Sequence, residues 1–218
     1  LTDVISVSVV NPVLTDQGWK FGGFNDSDED ILNGACYMHE LYTQAKPDFT
    51  GRATVPVLWD KQTRTIVNNE SADIVRMLDS AFSHLGHRGP DLYPAALQKD
   101  IEALNGYLYE NLNNGVYQAG FATTQFAYEE AYSRVFSALD EMESQLADGR
   151  QFLFGDDFTE SDIRLFVTLV RFDAAYFGLF KCNRNTLKEM PYLNRYIHRV
   201  LALEGVQETV NLTHIKAG

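Results

Sequence analysis

A proline inside an apolar, β-branched run constrains this chain more than any other feature. Thr54-Val-Pro-Val-Leu-Trp-Asp60 has the composition of a strand. Pro56 has no N–H, so a central strand there would lose a ladder bond. Pro56 can instead sit on an edge strand, or the Val55–Pro56 bond can be cis. A cis bond turns the Val55 backbone outward, where its N–H and C=O can pair with an extended peptide. Lys61-Gln-Thr-Arg64 is polar and makes a turn, and Thr65-Ile-Val67 returns as a second strand.

Asn69-Glu70-Ser71 then opens a helix whose apolar stripe is Ile74, Met77, Leu78 and Phe82. The free N–H groups and positive dipole end of a helix start suit a carboxylate. The Ser71 hydroxyl can add a bond to that carboxylate, and Glu70 can hold an ammonium. A small peptide with a free amino-acid head fits both halves. Read without a ligand, Ser71 serves as a helix cap and the hairpin as plain structure.

The rest of the chain is read in the same terms. Val4-Ile-Ser-Val-Ser-Val-Val10 reads as a buried strand, and Asn11 to Asn25 as a Gly-rich loop carrying Trp19. Asp26-Ser-Asp-Glu-Asp30 reads as a solvated acidic loop. Ile31 to Ala45 reads as a helix, with Ile31, Ala35, Met38, Leu41 and Tyr42 on one face. Ser83 to Tyr93 is a linker. Beyond it helices are predicted over Ala95–Leu112, Thr124–Leu146 and Thr186–Leu203, with Asn113-Asn-Gly115 ending the first and Val116–Ala122 crossing over. The second carries Phe126, Tyr132, Phe136, Leu139 and Met142. Thr159-Glu-Ser-Asp162 before the apolar Ile163–Val170 is a capping-box variant.

Net charge is −12, from 18 basic and 30 acidic residues. That argues against nucleic acid or an anionic membrane as the main partner. Two cysteines, Cys36 and Cys182, make no disulfide framework. Neither an 18-residue apolar run nor a signal peptide is visible, so a cytoplasmic location is expected. His84-Leu-Gly-His87 lacks a third ligand, and no metal site is expected.

Gly51-Arg-Ala-Thr-Val-Pro-Val-Leu-Trp-Asp60 followed by Thr65-Ile-Val-Asn-Asn-Glu-Ser71 resembles the glutathione transferases. Within them the string is most similar to the Xi class, the glutathionyl-hydroquinone reductases, an Omega-like group. The resemblance implies an α/β plus all-α fold: a thioredoxin-like domain over residues 1–83, without its first strand and helix, and an all-helical domain over residues 94–218. It implies that glutathione, as co-substrate, meets Trp19, Arg52, Val55, Glu70 and Ser71, with Arg52 pairing either end of the peptide. Asn114-Gly-Val-Tyr-Gln-Ala-Gly-Phe121 matches a family string whose tyrosine faces the hydroquinone, which makes Tyr117 a substrate residue. Arg171 and Tyr176, on one helix, can line the same pocket.

Family members use a cysteine in a Cys-Pro-Trp-like motif at a helix start, where its thiol becomes thiolate near neutral pH. That thiolate attacks the sulfur of a glutathionyl-hydroquinone, and a second glutathione resolves the mixed disulfide. No such motif occurs in these residues, so the nucleophilic cysteine is expected upstream of Leu1. Cys36 is read as mid-helix and, with Cys182, as inert. The resemblance implies a thiol transferase acting on small quinone conjugates, and a homodimer by family habit. The alternative is a non-catalytic binding protein of the same fold.

Overall fold

The computed structural model describes residues 4–85 and 89–218. Gly86 and His87 of the predicted linker lie outside the described residues. The chain divides into two compact units, Leu1–Gly89 with Ala217–Gly218, and Pro90–Lys216.

The first unit is a small α/β unit. Helix α1 (Met38–Ala45) precedes strands β1 (Leu58–Asp60) and β2 (Thr65–Asn68), and helix α2 (Ser71–Ser80) follows. The strands pair antiparallel, Trp59 opposite Ile66 and Asp60 opposite Thr65, with an irregularity between Leu58 and Trp59. The turn closes because Asp60 Oδ1 accepts the N–H groups of Gln62 (2.7 Å) and Thr63 (3.2 Å). Ladder pairing begins only at Leu58, so the predicted strand from Thr54 has no ladder partner over its first residues, with a bend at Val55. Phe21, Met38, Leu41 and Tyr42 form the buried core, and Trp19, Val55, Val57, Trp59 and Ile66 pack against it. The stripe Ile74, Met77, Leu78 and Phe82 is only half-buried.

Two expectations fail here. Val4–Val10 is not a strand, and Val7 is 79% exposed. Its apolar composition suits a half-buried sheet surface, but a strand also needs a paired neighbour. The stretch is held instead by a loop. Val9 N–H donates to the Asp28 carboxylate and Asp28 N–H to Val9 C=O, both at 2.7 Å. The predicted helix from Ile31 begins only at Met38, and Ile31 is 95% exposed. The Asp30 carboxylate accepts the N–H groups of Leu32, Asn33 and Ala35, and Gly34 turns through φ +72°. A side chain that takes several local amides outcompetes the helix for them. Asp28 and Asp30 are thus structural members of the acidic loop.

The second unit is all-helical: α3 (Gln98–Leu108), α4 (Gly115–Gly120), α5 (Gln125–Leu146), α6 (Glu160–Arg171), α7 (Pro191–Leu201) and α8 (Leu212–Ala217). The predicted stop at Asn113-Asn-Gly115 and the crossover after it are overturned. A wide turn over Tyr109–Asn113 leads directly into α4. Asn113 is spent on packing, because its Nδ2 donates to Arg164 C=O (2.8 Å) and Thr168 Oγ1 (2.7 Å). Gly115 is there for close approach, since a Cβ would lie 3.0 Å from a Val135 methyl. A Cβ at Gly120 would run into the Phe180 ring.

Thr124 caps α5, its Oγ1 accepting the Ala127 N–H. Phe126, in the first turn, is 77% exposed. The predicted helix over Thr186–Leu203 is split. Pro191 occupies the first position of α7 and cannot continue a helix from before it, so Leu187–Glu189 is a separate short turn.

The capping box of α6 is present as expected, with Asp162 Oδ2 accepting the Thr159 N–H at 2.9 Å. The buried Asp162 carboxylate also accepts the Leu153 N–H and the Tyr196 hydroxyl, both at 2.9 Å. Burial pushes its carboxyl above the usual range, and these donors pull it back. The box therefore ties the loop before α6 to α7.

Candidate functional site

In the first unit, one hydroxyl holds together the two halves foreseen in the sequence. Tyr42, buried on α1, donates to Thr54 C=O (3.0 Å) and accepts from the Thr54 N–H (3.2 Å) and Asn69 Nδ2 (2.9 Å). Asn69 Nδ2 also donates to Thr54 Oγ1 at 3.2 Å. Thr54 immediately precedes Val55, and Asn69 immediately precedes Glu70.

The Val55–Pro56 bond is cis. Among the described residues, none hydrogen-bonds to the Val55 backbone. Glu70 sits at the N-cap of α2 with extended backbone (φ −91°, ψ 116°), and its side chain makes no cap bond. Its N–H donates to Asn68 Oδ1 at 2.7 Å. Ser71 is the first residue of the helix, so the reading of Ser71 as a cap fails. Both side chains are exposed. Asn68 Nδ2 also draws the Asp73 carboxylate aside (3.2 Å). The site end of α2 thus offers a free acid, a free hydroxyl and helix-start amides, beside an unpaired stretch of backbone.

Trp19 is half-buried against the core, and its C=O accepts the Met38 N–H at 2.8 Å. Val55 packs on the same core. Arg52 is exposed and makes no ion pair among the described residues.

The second candidate cluster lies within the helical unit. Tyr117 on α4 is 43% exposed, and its hydroxyl lies 3.2 Å from that of Tyr176, which is 7% exposed in a wide turn after α6. Phe180 sits edge-on to Tyr117 at 5.2 Å between ring centroids, and Phe121 lies 6.3 Å away. Burial first, then the hydrogen bond with Tyr117, pushes the Tyr176 hydroxyl far above the usual tyrosine range, and Arg171 opposes weakly. Tyr176 therefore stays protonated at any physiological pH. Two hydroxyls that share one proton leave a second proton and free lone pairs for an oxygen-bearing aromatic guest. Arg171 itself donates to Val167 C=O at 2.5 Å. Phe121 and Phe180, which pack their rings on Tyr117, were not foreseen in the sequence. The signal was the four-residue spacing of aromatics in Tyr117/Phe121 and Tyr176/Phe180.

The cysteines differ from expectation in one respect. Cys36 is not in mid-helix but precedes the N-cap Tyr37 of α1, exposed, with its N–H donated to the Glu40 carboxylate at 2.9 Å. Asp30 and Gly34 delay the helix past it. Cys182 is buried, and burial pushes its thiol up to about 11.

Family models decide what these clusters belong to. The model for the N-terminal domain of glutathione S-transferases matches residues 12–81, and the model for their C-terminal domain matches residues 125–199. The glutathione-bound structure of YqjG from Escherichia coli K-12 superposes with a TM-score of 0.96 at 46% identity, covering 99% of this chain and 70% of that one. Glutathione transferase Xi 1 from Trametes versicolor gives 0.95 at 44% identity, over 99% of this chain and 76% of that one.

The chain belongs to the Xi-class glutathione transferases.

Curated relatives of this Xi-class chain carry a more specific name. It is 49% identical to glutathionyl-hydroquinone reductase PcpF of Sphingobium chlorophenolicum, over 100% of this chain and 69% of that protein. It is 46% identical to glutathionyl-hydroquinone reductase YqjG of Escherichia coli, over 99% of this chain and 66% of that protein. The chain thus spans about two thirds of the length of these relatives.

Proposed function

We propose that the protein reduces glutathionyl-hydroquinones to hydroquinones with glutathione as co-substrate. The observation that carries this reading is the likeness over the whole chain to two proteins named for that reaction. The site chemistry agrees with it.

Glu70 holds the ammonium of glutathione, and Ser71 with the first amides of α2 holds its α-carboxylate. The unpaired Val55 backbone pairs with the peptide as an added strand would. Trp19 and Arg52 hold the remainder, Arg52 through a carboxylate. In the helical unit, Tyr117 hydrogen-bonds a phenolic oxygen of the hydroquinone, Tyr176 orients the Tyr117 hydroxyl, and Arg171 lines the same pocket. Tyr176 stays neutral throughout, so it can donate but does not compete as a base.

An enzyme thiolate attacks the sulfur of the conjugate. The aryl C–S bond breaks, the ring carbon takes a proton, and an enzyme–glutathione disulfide forms. A second glutathione thiolate attacks that disulfide, so one conjugate and one glutathione give one hydroquinone and one glutathione disulfide. Cys182 is buried, and the resemblance implies a nucleophilic cysteine in a Cys-Pro-Trp-like motif, which Cys36 does not form. The reading therefore assigns the thiolate to a cysteine outside these residues. A cytoplasmic homodimer completes the proposal.

The test is an assay of the full-length protein with a glutathionyl-hydroquinone and glutathione. Hydroquinone and glutathione disulfide should appear in equal amounts. Glutathione binding without turnover would favour a binding protein of the same fold.

A further inference from the structure

We propose that Tyr42 is a positioning residue: its hydroxyl sets the register between the Val55 backbone and the Glu70–Ser71 helix start, and so sets glutathione affinity. The inference rests on the reading of these two elements as halves of one glutathione site.

The geometry is specific. A phenol has one proton to give and room to accept two. Tyr42 gives its proton to Thr54 C=O and accepts from the Thr54 N–H and Asn69 Nδ2, and Thr54 Oγ1 lies 3.3 Å from the same hydroxyl. The partners are the residues directly before each half of the site. A small peptide ligand that pairs with Val55 and reaches Glu70 spans both, so a shift of one half against the other costs it contacts at one end.

Other groups near the site do different work. Asn68 fixes the start of α2 alone, through Glu70 N–H and Asp73. Asn69 reaches across, donating to Tyr42 and to Thr54 Oγ1. The string Asn68-Asn69-Glu70-Ser71 therefore divides into two scaffold amides and two ligand groups. The Tyr42 ring is held independently of its hydroxyl, by the core and by Phe49 at 4.9 Å between centroids. Its aromatic part can stay in place when the hydroxyl is removed.

The experiment compares the full-length parent with Tyr42→Phe, Asn69→Ala and the double variant, by calorimetry with glutathione and by steady-state kinetics. Each single variant should bind glutathione about tenfold more weakly, the range for losing shared hydrogen bonds around one group. The double variant should lose less than the sum of the two single losses, because the Asn69–Tyr42 bond is counted in both. KM for glutathione should rise while kcat at saturating glutathione holds. A purely structural fault would instead lower the melting temperature and the active fraction, and hence kcat, with KM unchanged.

A folded Tyr42→Phe protein with parental glutathione affinity would overturn the inference while leaving the glutathione reading intact. Should Tyr42→Phe fail to fold, parental affinity in Asn69→Ala would overturn it in the same way. Additive losses in the double variant would overturn the shared hub. A parent that binds no glutathione would overturn the glutathione reading and this inference together.

Discussion

Leu139, Leu153, Leu165 and Leu193 are fully buried in one core of the helical unit, with Phe172 and Tyr196 among them. In the first unit the buried core is Phe21, Met38, Leu41 and Tyr42. Its loops are held by polar stitches: Asp28 on Val9, Asp30 on three amides, Tyr42 on Thr54 and Asn69. The helical unit relies mainly on buried apolar area, with the Asn113 and Asp162 bonds added, and the first unit relies more on placed hydrogen-bond partners. Burial tolerates a wide choice of apolar residues at a given volume. A stitched loop needs a particular polar group at a particular atom, which is what a binding site also needs. The candidate elements around Val55 and Glu70–Ser71 sit on the stitched region, whereas the Tyr117–Tyr176 cluster sits on the helical one.

The sharpest way to break this contrast is a cavity in the helical core. Phe172 is fully buried and meets Phe136 edge-on at 6.1 Å. Phe172→Ala should cost about 3–5 kcal/mol in urea unfolding. A loss near that of a surface substitution would show that the second unit is not organised by its core.

The two thiols sharpen the contrast chemically. With its pKa pushed up to about 11, Cys182 is thiolate in only about one molecule per thousand at pH 8. Its side chain is also out of reach of solvent. Iodoacetamide at pH 8 should therefore modify Cys36 and leave Cys182 intact until the protein is unfolded, as read by intact mass. The sign follows from the raised pKa: protection through ionisation fades only as pH approaches 11. Rapid double alkylation of the native protein would break the picture of a closed helical core.

Glu70 separates binding from stability. It is exposed at the N-cap and makes no side-chain cap bond. Glu70→Ala should weaken glutathione binding roughly 10–100-fold, the range for a hydrogen bond between charged groups. Its melting temperature should stay near that of the parent. A melting change without an affinity change would turn Glu70 into another stitch and remove it from the site.

What the sequence disclosed follows the same division. The hairpin around Asp60, the start of α2 and the Thr159–Asp162 box were legible because their signals lie within a few residues. The candidate residues Val55, Glu70 and Ser71 stand out in the sequence because a proline in a strand and an acid-hydroxyl pair at a helix start are local oddities. Val4–Val10 was misread because composition does not say whether a strand has a neighbour. Asn113 and Gly115 were misread as a stop because the same residue types also serve interhelical bonding and close approach. Tyr42 was legible only as a core position on a helix face. Nothing local indicates that its hydroxyl reaches residues 12 and 27 positions away.

The smallest expected effect tests the two uses of glycine within the helical unit. Gly115 and Gly106 both lie in helices, Gly115 where a helix stop is read in the sequence and Gly106 inside a predicted helix. At Gly115 a Cβ would meet Val135 at 3.0 Å, tighter than ordinary contact. At Gly106, in α3, nothing lies within 4 Å of the Cβ position. An alanine there adds no clash and restricts the unfolded chain, so Gly106→Ala should stabilise by about 0.5–1 kcal/mol. Gly115→Ala must push Val135 within a packed core and should destabilise, by about 1–3 kcal/mol. Urea unfolding of the two variants should therefore give opposite signs. Equal signs would mean that backbone propensity, rather than space beside the helix, decides where this core tolerates a methyl group.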